Sequence, residues 1–215
     1  PLPGVSSSRR CSDRRYPVSE VRRVVLASRN DAKVAELRRI LADYDPGLEV
    51  LGAAAFADLP DIAETGSTFA ENAMLKARAV SEHTGLIAIA DDSGLTVDAL
   101  NGMPGVLSAR WAGRDKDDAA NLALVLDQLA DVPDEGRDAA FRCAAAACRP
   151  GPPQQVEVQE GEVRGTLLRE PRGSNGFGYD PIFVPAGFDV TTAQMSAADK
   201  DAISHRGRAL RALVK

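Results

Sequence analysis

LIAIADDSGL, residues 86–95, is the stretch on which the reading of this chain turns. Five apolar residues, Leu86 to Ala90, have the length and composition of a buried strand. They run directly into Asp91 and Asp92, then Ser93 and Gly94. Neighbours in extended backbone point to opposite sides. One carboxylate therefore faces a cleft, and the other satisfies backbone donors or caps a turn. Two readings follow. The pair closes the strand in a plain Asx turn, or it belongs to a hard-cation site, because adjacent carboxylates repel unless a cation or donor lies between them.

Outward from this stretch, strand and helix signals alternate. RRVVLAS (22–28) reads as a short buried strand. Asn30 and Asp31 carry helix-start chemistry. Val34, Leu37 and Leu41 then recur at helical spacing to about Asp43, before a turn over Tyr44 to Gly47 and a second strand, LEVLGA (48–53). ADLPDIAETG (57–66) is a loop, and Thr68 with Glu71 forms a capping box that opens a helix ending near His83, with Gly85 as its C′ glycine. The capping box accounts for Glu71 without any metal.

The stretch 101–113 is loop-like, and DDAANLALVLDQLA (117–130) is a helix. FRCAAAAC (141–148) fits either helix, by its alanines, or strand, by its length and flanks. VEVQEGEVRGTL (156–167) reads as a hairpin or strand pair. Residues 169–185 form a Gly-rich loop entering an apolar segment, and Ser204 caps a final helix over 205–214. This order implies an α/β fold, and the length suits one large domain or two lobes about a shared core. Residues 1–20 lack the apolar region of a secretory signal and read as a disordered basic tail, leaving 21–215 as the folded unit.

Composition narrows the function. With 26 Lys and Arg against 31 Asp and Glu, the net charge is −5, which argues against a nucleic-acid polymer as partner. No apolar run approaches the roughly 20 residues that span a bilayer. Three cysteines, Cys11, Cys143 and Cys148, make no disulfide framework and suggest a reducing cytoplasm. Two histidines disfavour zinc, and carboxylate oxygens favour Mg²⁺, with Glu64 a further donor.

Two more signals concern an anion and a base. A cation is unfavourable in the first turn of a helix. Yet Lys33 occupies one such turn, and His205 and Arg206 another, with Lys200 just before it. A bound polyanion would resolve both. No Walker A pattern is present. In GSNGFGYD (173–180), three glycines allow close backbone approach, Phe177 and Tyr179 offer ring faces, and Asp180 an acceptor. Together these suit a flat base beside phosphates. Gly-rich loop amides, or His205 or Arg206, would donate to such a base.

Taken in order, SRNDAK (28–33), ETGSTFAENAMLKA (64–77), ADDSGL (90–95), GMPGVLSAR (102–110), GFGYDPIF (176–183) and SHRGRAL (204–210) resemble the motifs of the Ham1-like, or inosine triphosphatase, family of nucleoside triphosphate pyrophosphatases. The resemblance spans roughly residues 23 to 214. It implies a mixed twisted β-sheet with flanking helices, two lobes around a central cleft, a homodimer, and Mg²⁺-dependent cleavage of ITP, dITP or XTP to the monophosphate and pyrophosphate.

Residue by residue, Asp92 matches the catalytic acid, described as proton acceptor and metal ligand, with Asp91 beside it as a second candidate ligand. Glu64 matches a metal-site glutamate, although Ala63 stands where the family often has another acid. Ser28, Arg29, Asn30, Asp31, Ala32 and Lys33 match the phosphate-binding segment. Ser93 matches a substrate contact, and Phe177, Gly178, Tyr179, Asp180, Lys200, His205 and Arg206 match nucleotide-binding positions. In the mechanism so implied, Lys33 and Arg206 stabilise charge on the leaving pyrophosphate. The competing expectations are a nucleotide-binding protein without turnover and a pyrophosphatase for modified pyrimidines.

Overall fold

A computed structural model of the chain describes residues 22–42 and 46–214. The basic tail expected over 1–20, the helix end at Asp43 and the start of the turn at Tyr44 lie outside the described residues. Among the described residues six strands, β1 (Arg22–Leu26), β2 (Leu48–Gly52), β3 (Ile87–Val97), β4 (Asp138–Arg149), β5 (Gln155–Leu167) and β6 (Phe183–Pro185), form one mixed sheet in the order β2-β1-β3-β4-β5-β6. β2, β1 and β3 are parallel; β3 to β6 are antiparallel. Among the described residues five α-helices flank it: α1 (Asp31–Ala42), α2 (Phe69–Thr84), α3 (Asp118–Gln128), α4 (Ala197–Ile203) and α5 (His205–Leu213).

The local signals at α2 hold. Thr68 and Glu71 form a full capping box, and Gly85 closes the helix in the left-handed region at φ 68°. One open alternative closes and two expectations change. The Ala-rich segment is the strand β4, 156–167 lies within one long strand rather than a hairpin, and β3 does not stop at Ala90 but continues through Asp91, Asp92, Ser93 and Gly94 to Val97. The carboxylates therefore sit in mid-strand, and no Asx turn ends the strand there. Ten consecutive β3 residues, Ala88 to Val97, pair with β4. That ladder outweighs the poor strand propensity of Asp and Gly.

The two faces of the sheet have different covers. Ile89, with Cys143 and Ala145, packs on residues of α1 and α5 such as Leu37 and Leu210. Ala88 and Ala90 pack on the opposite face against Val80, Ala73 and Ala77 of α2. Ala144 and Ala146 join that second cluster, so alanine in β4 serves close helix approach rather than helix propensity. A further core of Leu95, Val97, Leu122, Val125, Val163 and Phe183 forms around α3, making a second lobe.

A cleft opens where β1 ends. The β1–β3 ladder stops at Leu26 opposite Ile89, and β3 runs on without β1 beside it. The 3₁₀ turn Gly105–Arg110 takes up this edge again at Leu95, whose N–H donates to Ser108 Oγ at 2.9 Å. A side chain at Gly94 would meet Ser108 Oγ at 2.3 Å and the Gly105 carbonyl at 2.5 Å, so that turn requires glycine there.

Candidate active site

Where strand β3 loses its neighbour, its alternation sends Asp92 toward α2 and Asp91 toward α1 and α5. The sequence alone shows that the two divide; the helices decide how. A cavity of about 470 Å³ lies over this edge and brings together most of the expected residues from both lobes. Ser28, Asn30 and Lys33 line it from the β1–α1 segment; Glu64, Asp92 and Ser93 from the centre. Phe177, Gly178, Tyr179 and Asp180 line it from the Gly-rich loop, and Lys200, His205 and Arg206 from the C-terminal helices. Asp31 and Ala32 form the first turn of α1.

On the α2 side, Lys76 Nζ donates to Glu64 Oε1 at 2.9 Å and Asp92 Oδ1 at 3.0 Å. Asn72, one helical turn earlier and fully buried, donates to Asp92 Oδ2 at 3.1 Å and accepts the Gly66 N–H at 2.8 Å. Arg110 reaches Glu64 Oε2 at 3.4 Å. Burial, with the charge of Glu64, raises the Asp92 carboxyl above its ordinary range despite Lys76 and Asn72. Glu64 goes the other way: burial pushes it up, but Lys76, Lys33 and Arg110 outweigh that and hold it low. Burial likewise depresses Lys76, yet Asp92, Glu64 and Asp91 raise it overall, so it stays charged. Two neighbouring carboxylates with oppositely shifted affinities for a proton, one held in place by a cation and an amide, have the chemistry that a base and an electrostatic partner would need.

Neither Lys76 nor Asn72 was expected from the residues alone. Their signal was a polar pair at i, i+4 within an otherwise alanine-lined helix face.

On the other side, Asp91 is not a cavity-lining residue. It accepts from Arg206 Nε at 3.0 Å and lies 3.5 Å from Lys33 Nζ. Burial raises it, but Lys33, Arg206 and Lys76 overcome burial and hold it far below the usual carboxylate range. Arg206, almost fully buried, also donates to Glu36 Oε2 at 2.5 Å and to Ser93 Oγ at 2.9 Å. The helix-start cations that called for a bound polyanion therefore have internal partners. Glu36 and Asp91 answer Arg206, and Asp91 answers Lys33, which still faces the cavity. His205 is half-buried in the cavity wall, and desolvation there, then Arg206 and Lys200, drive its protonation well below the ordinary histidine value. It is neutral and stacks on Phe141, centroids 5.1 Å apart and 14° from parallel.

The Gly-rich loop departs from expectation in detail. Asp180 is not a free acceptor: it is buried and takes the Phe177 N–H at 2.9 Å, Lys200 Nζ at 2.5 Å and Thr192 Oγ1 at 2.8 Å. Gly176 has φ 79°, and a Cβ there would lie 2.1 Å from Asp180 Oδ2, so the loop closes on this carboxylate only with glycine. Gly178 N–H donates to Asp118 Oδ2 at 2.9 Å. Both amides are thus taken, and neither is aimed at a base. Tyr179 is buried with its hydroxyl on the Ser108 carbonyl at 2.8 Å, leaving Phe177, 43% exposed with Lys200 Nζ 5.3 Å from its centroid, as the open ring face. Arg29, expected to bind phosphate, pairs instead with Asp61 Oδ1 at 2.6 Å and with the Leu59 carbonyl, tying its segment to the loop that carries Glu64.

The Ham1 family model matches residues 24–215. The dITP/XTP pyrophosphatase of Streptomyces coelicolor is 56% identical over 192 residues, covering 89% of this chain and 95% of that one. The dITP/XTP pyrophosphatase of Mycobacterium tuberculosis is 56% identical over 195 residues, covering 90% and 94%. Among solved structures, the HAM1 protein of Coxiella burnetii superposes with a TM-score of 0.81 at 44% identity, over 90% of this chain and 96% of that one. The nucleoside-triphosphatase / dITP/XTP pyrophosphatase of Mycobacterium abscessus superposes at 0.73 and 53% identity, over 89% and 98%. With its fold, its cleft and its motifs in agreement, the chain belongs to the Ham1 family.

Proposed function

We propose that this protein is a nucleoside-triphosphate pyrophosphatase that hydrolyses deaminated purine nucleotides, ITP, dITP and XTP, to the monophosphate and pyrophosphate, removing them from the nucleotide pool. The observation that carries this reading is Asp92: a cleft carboxylate raised toward proton acceptance, clasped by Lys76 and Asn72, with Lys33 lining the same cavity. Relatives over half identical and named dITP/XTP pyrophosphatase support the substrate class.

In the reaction, a water oxygen attacks the α phosphorus as the bond to the β-phosphate oxygen breaks. Asp92 accepts the proton of that water. Lys33 is placed to meet negative charge on the departing pyrophosphate. Arg206, with its guanidinium spent on Asp91, Glu36 and Ser93, orients Ser93 from within the core. Glu64 and Asp92 bring two hard oxygen donors to one cationic point, now Lys76 Nζ. No group of three or more His, Cys, Asp or Glu among the described residues is placed to hold a metal ion. That donor set fits Mg²⁺, which binds through one or two carboxylates and takes its other ligands from phosphate and water. When bound there, Mg²⁺ would neutralise phosphate charge and polarise the scissile bond. Asp91, locked to Arg206, is the weaker ligand candidate.

We read the protein as a cytoplasmic homodimer. Light scattering after size exclusion tests the dimer.

The decisive assay incubates the protein and Mg²⁺ with ITP, XTP, dITP, ATP, GTP and pyrimidine triphosphates, measuring pyrophosphate against orthophosphate. Pyrophosphate from the first three, with ATP and the pyrimidines slow, is the expected result. Orthophosphate release, equal rates throughout, or no turnover would overturn it.

A further inference from the structure

Four cations line the cavity, and three are matched by carboxylates: Lys33 by Asp91, Lys200 by Asp180, and Arg206 by Asp91 and Glu36. The fourth is Lys116. Among the described residues its ammonium has neither an ion-pair nor a hydrogen-bond partner. Its backbone is unusual as well, at φ 53° in the left-handed region that disfavours a long side chain and where glycine would sit without cost. Lys116 directly precedes Asp117, whose side chain caps α3 by accepting the Ala119 and Ala120 N–H groups at 2.9 and 3.1 Å. The lysine therefore projects from a fixed helix start.

Its wall is the one that carries the open ring. Asp118, two residues on, holds the Gly178 N–H, next to Phe177. The phosphate-facing group, Ser28, Asn30 and Lys33, comes from the β1–α1 segment of the other lobe. Asp118 also faces the cavity, but one of its oxygens is committed to Gly178.

An ammonium with no ion-pair partner beside a base site favours a base that carries negative charge. The deaminated purines differ in this respect. Hypoxanthine has one ring carbonyl and is neutral at neutral pH. Xanthine has a second, which acidifies its ring imide, so that the base carries substantial anionic character. We infer that Lys116 is a specificity residue that reads the anionic xanthine ring and favours xanthine over hypoxanthine nucleotides. The inference rests on the proposed purine specificity of the cleft and extends it to the choice between two of its substrates.

The test measures XMP and IMP binding by calorimetry, and XTP and ITP turnover, for the wild type, Lys116→Met and Lys116→Arg. Binding needs no hydrolysis, so the outcome stands apart from that of the activity assay. Loss of one charge-assisted contact predicts that Lys116→Met weakens XMP binding and lowers kcat/KM for XTP roughly tenfold. IMP and ITP should move by less than about twofold, the scatter of a neutral surface change, and Lys116→Arg should retain XMP affinity. Equal losses on both bases would place Lys116 on the phosphates and overturn the inference, as would an unchanged XMP affinity. A wild type that binds both monophosphates but hydrolyses neither triphosphate would overturn the proposed hydrolysis and leave the base test intact.

Discussion

Asp91 and Asp92 are the same side chain one residue apart, and the structure gives them opposite liabilities. Asp91 is a buried anion that answers Arg206 and Lys33. Neutralising it in Asp91→Asn leaves the buried Arg206 underpaired and Lys33 without its carboxylate, a change that costs about 3 kcal/mol. At a chain of this size that lowers the melting temperature by roughly 6–12 °C. Asp92 is an anion whose charge is disfavoured by burial. Asp92→Asn loses the Lys76 ion pair but also the burial cost of the charge, two opposing effects, so it should melt within about 2 °C of wild type, with an unchanged circular dichroism spectrum, yet lose about 10²–10⁴-fold in turnover. Thermal melts and steady-state rates on the two variants check the pair, and a stable, active Asp91→Asn would break the argument.

His205 gives a pH dependence. Its folded protonation lies well below the unfolded value of about 6.5. The unfolded chain therefore binds the extra proton first as pH falls. Stability from this group is full above that pH and declines below it, toward the folded value. Between pH 7.5 and 5.5, a span chosen about that value, wild type should lose more melting temperature than His205→Phe, which keeps a ring against Phe141 and does not titrate.

At the scale of elements, legibility followed how local the signal was. The capping box of α2 and its terminal glycine were readable because each needs only its own few residues. The extent of β3 was not, because Asp-Asp-Ser-Gly is poor strand sequence and the force extending it comes from β4, some fifty residues away. The identity of β4 depends on which helix lies against it: alanine there fits the small residues of α2. The expected residues largely converge on one cavity, but Asp180, Arg29 and Arg206 proved engaged with other protein groups. Partners such as Glu36 are invisible until helices pack.

β5 and the start of α5 approach backbone to backbone. A Cβ on Gly161 would fall 2.1 Å from the His205 carbonyl and 2.7 Å from the Ala209 nitrogen. Gly161→Ala must push the first turn of α5 outward, carrying His205 and Arg206 with it. A cost of about 1–3 kcal/mol in stability is expected, together with a raised KM for ITP. Denaturant melts with kinetics read both, and a variant unaffected in KM would separate α5 position from nucleotide binding.

At the scale of the molecule, the sheet supplies the site by stopping unevenly. β1 ends, β3 continues, and two lobes face each other across the edge left open. One side contributes Lys33, the middle Asp92 and Glu64, and the other side Phe177 and Lys200. Each wall is anchored in a separate core. A ligand bridging them should stabilise the whole: a non-hydrolysable ITP analogue at 100 times its Kd adds about 2.7 kcal/mol. A thermal shift that appears with the analogue and is absent with inosine alone would locate most of the binding in the phosphates.

The central claim is that the cleft directs water to the α phosphorus with Asp92 as proton acceptor. Hydrolysis of ITP in ¹⁸O-labelled water, followed by ³¹P NMR, tests it most directly. Wild type should place the label in IMP and release unlabelled pyrophosphate, and Asp92→Asn should give neither product at an appreciable rate. Label in pyrophosphate, release of orthophosphate, or near-normal turnover by Asp92→Asn would contradict it.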